Sequence, residues 1–129
     1  MLQFCCGISD IITNMKAVIS HRDKYIRKEI TRYLGEQYPN CIMESYKDSM
    51  LAAKSVYTEP ADVVIVGMDG IKLVPMLRKK EKEMIIVVLA DNASHRDEVF
   101  SMGGNAYLTL PLTKENLVEA VENRQNEDL

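Results

Sequence analysis

Three short stretches of the chain hold side chains able to do chemistry: Ser20-His21-Arg22-Asp23, Gly67-Met68-Asp69-Gly70 and Ala90-Asp91-Asn92. Carboxylates gathered from separate stretches can hold a divalent cation, and an imidazole beside a nucleophile can take its proton. Each stretch offers one carboxylate only, and Arg22, always protonated, stands among them and repels a metal. Asp23 reads better as a helix N-cap, and Asp69-Gly70 as a turn or cap. His21 is a single histidine without the partners of a catalytic arrangement, and His95 reads as a surface residue at a helix start. Neither histidine has a Glu or His at metal-ligand spacing. Cys5, Cys6 and Cys41 form no CxxC and no zinc spacing, so reduced thiols in a cytoplasmic protein are expected. These residues predict no metal, no cofactor and no enzyme activity.

The elements that must position these stretches alternate along the chain. Short β-branched runs, Lys16–Ser20, Cys41–Glu44, Asp62–Val66, Met84–Leu89 and Ala106–Leu110, read as strands. The third and fourth are continuously apolar, as strands covered on both faces should be. Between them lie helical spacings. Ile26, Ile30, Tyr33 and Leu34 share one face, with Asp23 before them and Gly35 as the expected end. Met50, Ala53 and Tyr57 form a second stripe, ending before Pro60. Ile71, Val74 and Leu77 form a third, which tolerates Pro75 only in its first turn. Ser94-His95-Arg96-Asp97 resembles a capping box ahead of Val99, Phe100 and Met102. The last helix has Thr113 as its cap and Leu117, Ala120 and Val121 facing inward. Five strands alternating with helices imply a doubly wound α/β fold, a parallel sheet covered on both faces. Ligands of such sheets bind beyond the carboxyl ends of the strands, where the three reactive stretches fall.

Length and composition fit that reading. The chain has 129 residues, 47% apolar and 27% charged, with a net charge of −3, which suits one globular domain. The acidic balance argues against direct nucleic-acid binding by this domain. No apolar run approaches the roughly 20 residues of a membrane span, and residues 1–14 lack the pattern of a signal peptide. That leading segment stands outside the alternation. Its Phe4, Ile8, Ile11 and Ile12 form either an extra helical turn or an apolar arm, an upstream addition or a surface for a partner. The polar tail 123–129 is expected to fray.

From Met15 to about Val121 the order and spacing of motifs resemble a receiver domain of bacterial two-component signalling. Lys16-Ala17-Val18-Ile19 opens like a receiver first strand. Asp62-Val63-Val64-Ile65-Val66, followed by Met68-Asp69-Gly70, looks like the third strand and its loop. Ile85–Leu89 is similar to the fourth. Gly103-Gly104-Asn105-Ala106-Tyr107-Leu108 with Pro111 matches the family's Gly-Ala-x-Gly-Tyr-Leu-x-Lys-Pro signature. The resemblance implies a flavodoxin-like (βα)5 fold, a five-stranded parallel sheet in the order 2-1-3-4-5, over residues 15–122. It also places the Leu110-Pro111 bond where the family often has a cis peptide.

The family's chemistry does not carry over with the fold. Where the resemblance implies two metal-binding acids stand His21 and Arg22. The phosphoacceptor position reads Gly67, the Ser/Thr after strand four reads Ala90, and the lysine before Pro111 reads Leu110. Each change removes one part of a site that works by stabilising charge around a phosphoryl group. Three further expectations follow. Arg22 is expected in the metal's place, paired with Asp69 or Asp91. Tyr107, the family's switch aromatic, is expected to rest inward, since Ala90 has no hydroxyl. A protein partner or a homodimer is expected on the face of helix four, strand five and helix five, with Val99, Tyr107, Leu117 and Val118 the first residues to test. The alternatives are a conventional receiver phosphorylated on Asp69 and a small-ligand sensor using a neutral pocket near Gly67, Ala90 and Leu110. Glycine-rich dinucleotide and P-loop signatures, a flavin phosphate loop and the cobalamin Asp-x-His-x-x-Gly motif are all absent from the sequence.

Overall fold

The computed structural model describes residues 15–122; the leading segment, with Phe4, Cys5, Cys6, Ile8, Ile11 and Ile12, and the tail 123–129 lie outside the described residues. Five strands, β1 (Lys16–Ser20), β2 (Ile42–Tyr46), β3 (Val63–Gly67), β4 (Ile85–Ala90) and β5 (Ala106–Thr109), alternate with five helices. The helices are α1 (Lys24–Gln37), α2 (Ser49–Thr58), α3 (Val74–Lys80), α4 (Arg96–Met102) and α5 (Lys114–Val121). Every strand pairing is parallel and the order is β2-β1-β3-β4-β5, the doubly wound order that the motifs implied.

Strand pleating divides the core in two. Ala17, Ile19, Val63, Ile65, Val87 and Leu89 pack with Ile30 and Leu34 of α1 and Leu117 and Val121 of α5. Val18, Val64, Val66, Ile86 and Val88 point the other way, onto Ala52 and Val56 of α2, Leu77 of α3 and Val99 of α4. Side-chain caps fix three helix starts. Asp23 accepts from the Tyr25 N–H at 2.8 Å, Asp48 from the Met50 N–H at 2.8 Å, and Thr113 Oγ1 from the Asn116 N–H at 3.1 Å. Pro75 sits in the first turn of α3, where its missing N–H costs nothing.

Local expectations differ from the structure at four places. β2 begins at Ile42 and runs on to Tyr46, because its register follows β1 through to Ser20. α1 passes Gly35 and ends at Gln37; the Tyr38 side chain is buried, and its hydroxyl donates to Glu122 at 3.0 Å, which draws in two further residues. α2 buries Ala52, Ala53 and Val56, while Met50 and Tyr57 face solvent. The two adjacent alanines let that face approach the sheet closely, which rotates the helix away from the Met50–Tyr57 stripe. The capping box before α4 does not form. Asn92 Oδ1 accepts from both the N–H and the hydroxyl of Ser94, and His95 takes the N-cap position without a side-chain cap bond.

Arg78, near the end of α3, ties three connections together. Its Nε donates to the Gly103 carbonyl at 3.0 Å, Nη1 to the carbonyls of Glu81 and Lys82, and Nη2 to the Met84 carbonyl at 2.7 Å and Asn105 Oδ1 at 2.6 Å. Gly103 closes α4 at φ 109°, a left-handed conformation. A Cβ there would stand 2.7 Å from Arg78 Cγ, so the turn needs glycine on both counts. The Leu110-Pro111 peptide is cis.

Candidate functional site

The carboxyl ends of β1 and β3 lie side by side because Ser20 pairs with Val66, which makes His21 the neighbour of Gly67. A Cβ built on Gly67 would meet His21 Cδ2 at 2.8 Å, Asp69 Oδ1 at 3.1 Å and His21 Nε2 at 3.3 Å. The imidazole therefore lies across the spot into which any side chain at position 67 would project. One hydrogen bond holds the ring and two hold the main chain that carries it. The Asp23 N–H donates to His21 Nδ1 at 3.0 Å, the His21 N–H donates to the Tyr46 carbonyl at 3.1 Å, and Arg27 Nη1 donates to the His21 carbonyl at 2.5 Å. With Nδ1 accepting, the neutral ring carries its proton on Nε2. Burial pushes the His21 pKa below its ordinary value, against the opposing pull of Asp69, Asp23 and Asp91.

The other site positions surround this plug. Asp69 lies in the first turn of a 3₁₀ segment, Met68–Leu73, that runs directly into α3. Its carboxylate reaches back toward Gly67 while the residue stays exposed. Ala90 is buried, Leu110 half-buried and Asp91 exposed. Arg22 is exposed, and among the described residues no ion pair joins it to Asp69 or Asp91. The expected lock by Arg22 is thus not formed; the N-cap at Asp23 turns the chain so that His21, not Arg22, faces the sheet edge. Nor is the space over Gly67 an open neutral pocket, since the imidazole and the Asp69 carboxylate occupy it.

Tyr107 is buried with its ring turned inward, and its hydroxyl donates to the Asn92 carbonyl at 2.5 Å, in the loop after β4. The four residues chosen to test the contact face need correction. Val99, Tyr107 and Leu117 are at most 3% exposed and belong to the two cores, so they present no surface to a partner, whereas Val118 is 8% exposed and lines a groove with Gln37, Lys114, Glu115 and Glu119. Helical and strand spacing selected the apolar side of each element, which is the side that the sheet takes. The motifs do not point to Arg27, and they place Asn92 in the loop after β4 without its link to Tyr107. Arg27 stands four residues after the N-cap Asp23, one turn into α1, and that spacing was the available signal. Asn92 acts through its main-chain carbonyl, which leaves no trace in residue type.

The donor set does not fit the divalent ion that receiver chemistry uses. An imidazole over a glycine and an exposed guanidinium stand where carboxylates are needed. Among the described residues no group of three His, Cys, Asp or Glu side chains is arranged to hold a metal. Nor, among them, is any helix long and apolar enough to cross a membrane.

No protein-family model matches the sequence, and no curated protein is similar to it in sequence. Solved structures are similar in three dimensions. The chemotaxis response regulator CheY4 of Vibrio cholerae superposes with a TM-score of 0.74 at 19% identity, over 84% of this chain and 97% of that one. A CheY-like response regulator receiver domain protein from Methanospirillum hungatei gives 0.75 at 18% identity, over 88% and 95%. A LuxR-family DNA-binding response regulator from Staphylococcus aureus gives 0.74 at 16% identity, over 87% and 99%. With five parallel strands in the order 2-1-3-4-5, five intervening helices and these superpositions, the chain has the fold of a response-regulator receiver domain.

Proposed function

We propose that this chain is an atypical receiver domain that works independently of phosphorylation, as a protein-interaction or dimerisation module in signal transduction or gene regulation. One observation carries the reading: the His21 ring stands over Gly67, where a phosphoacceptor side chain and its metal would have to be. Ala90 and Leu110 supply neither the hydroxyl nor the ammonium that would steady a phosphoryl group, and Arg22 repels the cation. A module of this kind acts by presenting surface, and it is expected to work in the cytoplasm of a bacterial cell. The surface of α4, β5 and α5 remains the face to test, through the exposed Asp97 and Glu98 of α4 and not through the buried residues beneath them.

The test is incubation of the full chain with acetyl phosphate and Mg²⁺, followed by intact mass measurement. An unchanged mass is expected. A stable phosphoryl adduct mapped to Asp69 reverses the proposal. That outcome is the second reading, and one contact favours it: the Asp69 carboxylate already reaches the space beside Gly67.

A further inference from the structure

The α2–α3 side of the molecule carries more apolar surface than its core consumes. Met50 is 62% exposed, Leu51 54%, Tyr57 44% and Met76 47%, four of the six large hydrophobic residues exposed among the described ones. Met50 and Tyr57, seven residues apart, share one face of α2 and form a patch with Met76 of α3, while Leu51 lies round the helix in a groove with Glu44 and Glu59. The Tyr57 hydroxyl donates to the Met76 carbonyl at 3.4 Å, and Lys80 Nζ stands 5.3 Å from the Tyr57 ring centre. Lys54, Lys79 and Lys80 are exposed along the rim of the patch, Lys80 in an ion pair with Glu81 at 3.6 Å, which leaves the rim basic by the other two. Contiguous exposed apolar surface with a polar rim marks a site that something covers.

We infer that the chain's own leading segment, residues 1–14, docks on this patch. Three observations select it over a second copy. Phe4, Ile8, Ile11 and Ile12 recur at i, i+4, i+7 and i+8, the spacing of one apolar helical face. The only charged side chain in the segment is Asp10, which suits a basic rim, whereas a second copy would bring lysines against lysines. The tether also starts in the right place. Lys16, at the head of β1, reaches the α2 side of the sheet and pairs with Glu59, the C-cap of α2, at 2.8 Å. Fourteen residues extend to about 50 Å at most, while ten residues of α2 span about 15 Å. Binding within one chain then proceeds at a high effective concentration, so a small patch suffices.

The test uses the full chain with Cys6→Ser and Cys41→Ser, a nitroxide on Cys5, and methionine methyl NMR. The Met50 and Met76 methyl signals are expected to lose most of their intensity while that of buried Met84 persists, equally at low and high protein concentration. Undiminished Met50 and Met76 signals overturn the inference. A loss that vanishes on dilution overturns it too, in favour of a second copy. Should the labelled variant not fold, the unlabelled chain serves instead. Phe4→Ser with Ile8→Ser is expected to shift the Met50 and Met76 methyl resonances, and unchanged shifts overturn the docking.

Discussion

At the scale of residues, the imidazole of His21 and the missing side chain of Gly67 are two halves of one packing arrangement. Gly67→Ala forces its Cβ to 2.8 Å from the His21 ring and is expected to cost about 1–2 kcal/mol, read from urea denaturation midpoints. In a His21→Ala background the same substitution should cost much less. Simple additivity of the two would show that the ring is not the obstacle. Protonation probes the same contact. The folded-state pKa of His21 lies below its unfolded value, so on acidification the unfolded chain takes up the proton first. The resulting stabilisation is complete above about pH 6.5 and is lost as the pH falls below it toward the folded value. His21→Asn should therefore flatten the slope of stability against pH in that window; an unaltered slope would remove burial of the ring as its cause.

At the scale of elements, Arg78 is the residue whose loss should be felt farthest. It serves the end of α3, the turn into β4 and the turn into β5 at once. Arg78→Ala leaves several carbonyls short of a donor and is expected to cost about 3 kcal/mol by chemical denaturation. Arg78→Lys should recover little of that, since an ammonium cannot reach three directions in one plane. The sequence disclosed the elements but not this tie. Strands, caps and helix order were legible because β-branched runs, Asp23, Thr113 and Pro75 act locally. The facing of α2 was not, because Met50-Leu51-Ala52-Ala53 offers two apolar stripes and only the sheet chooses between them. In the candidate site, Gly67, Ala90 and Leu110 could be read as positions without a carboxylate, a hydroxyl or an ammonium group. The occupant of the emptied space could not, because the rotation of His21 depends on the cap that follows it.

At the scale of the whole molecule, the sheet is shared by two cores, so the two should melt as one. Leu34→Ala on the α1 side and Leu77→Ala on the α3 side are each expected to lower a single transition by about 3 kcal/mol. Two separate transitions in either variant would show that the layers unfold independently.

The open flank of the sheet has a consequence of its own. β2 bonds to β1 through Ile42 and Tyr46, so the amides of Met43 and Ser45 point away from every other strand. Main-chain groups that no described strand answers, beside an exposed isoleucine, are a template onto which another ribbon can be zipped. Crowding and prolonged warming should therefore convert this protein to fibrils starting at that margin, and a proline at Ser45 should delay them.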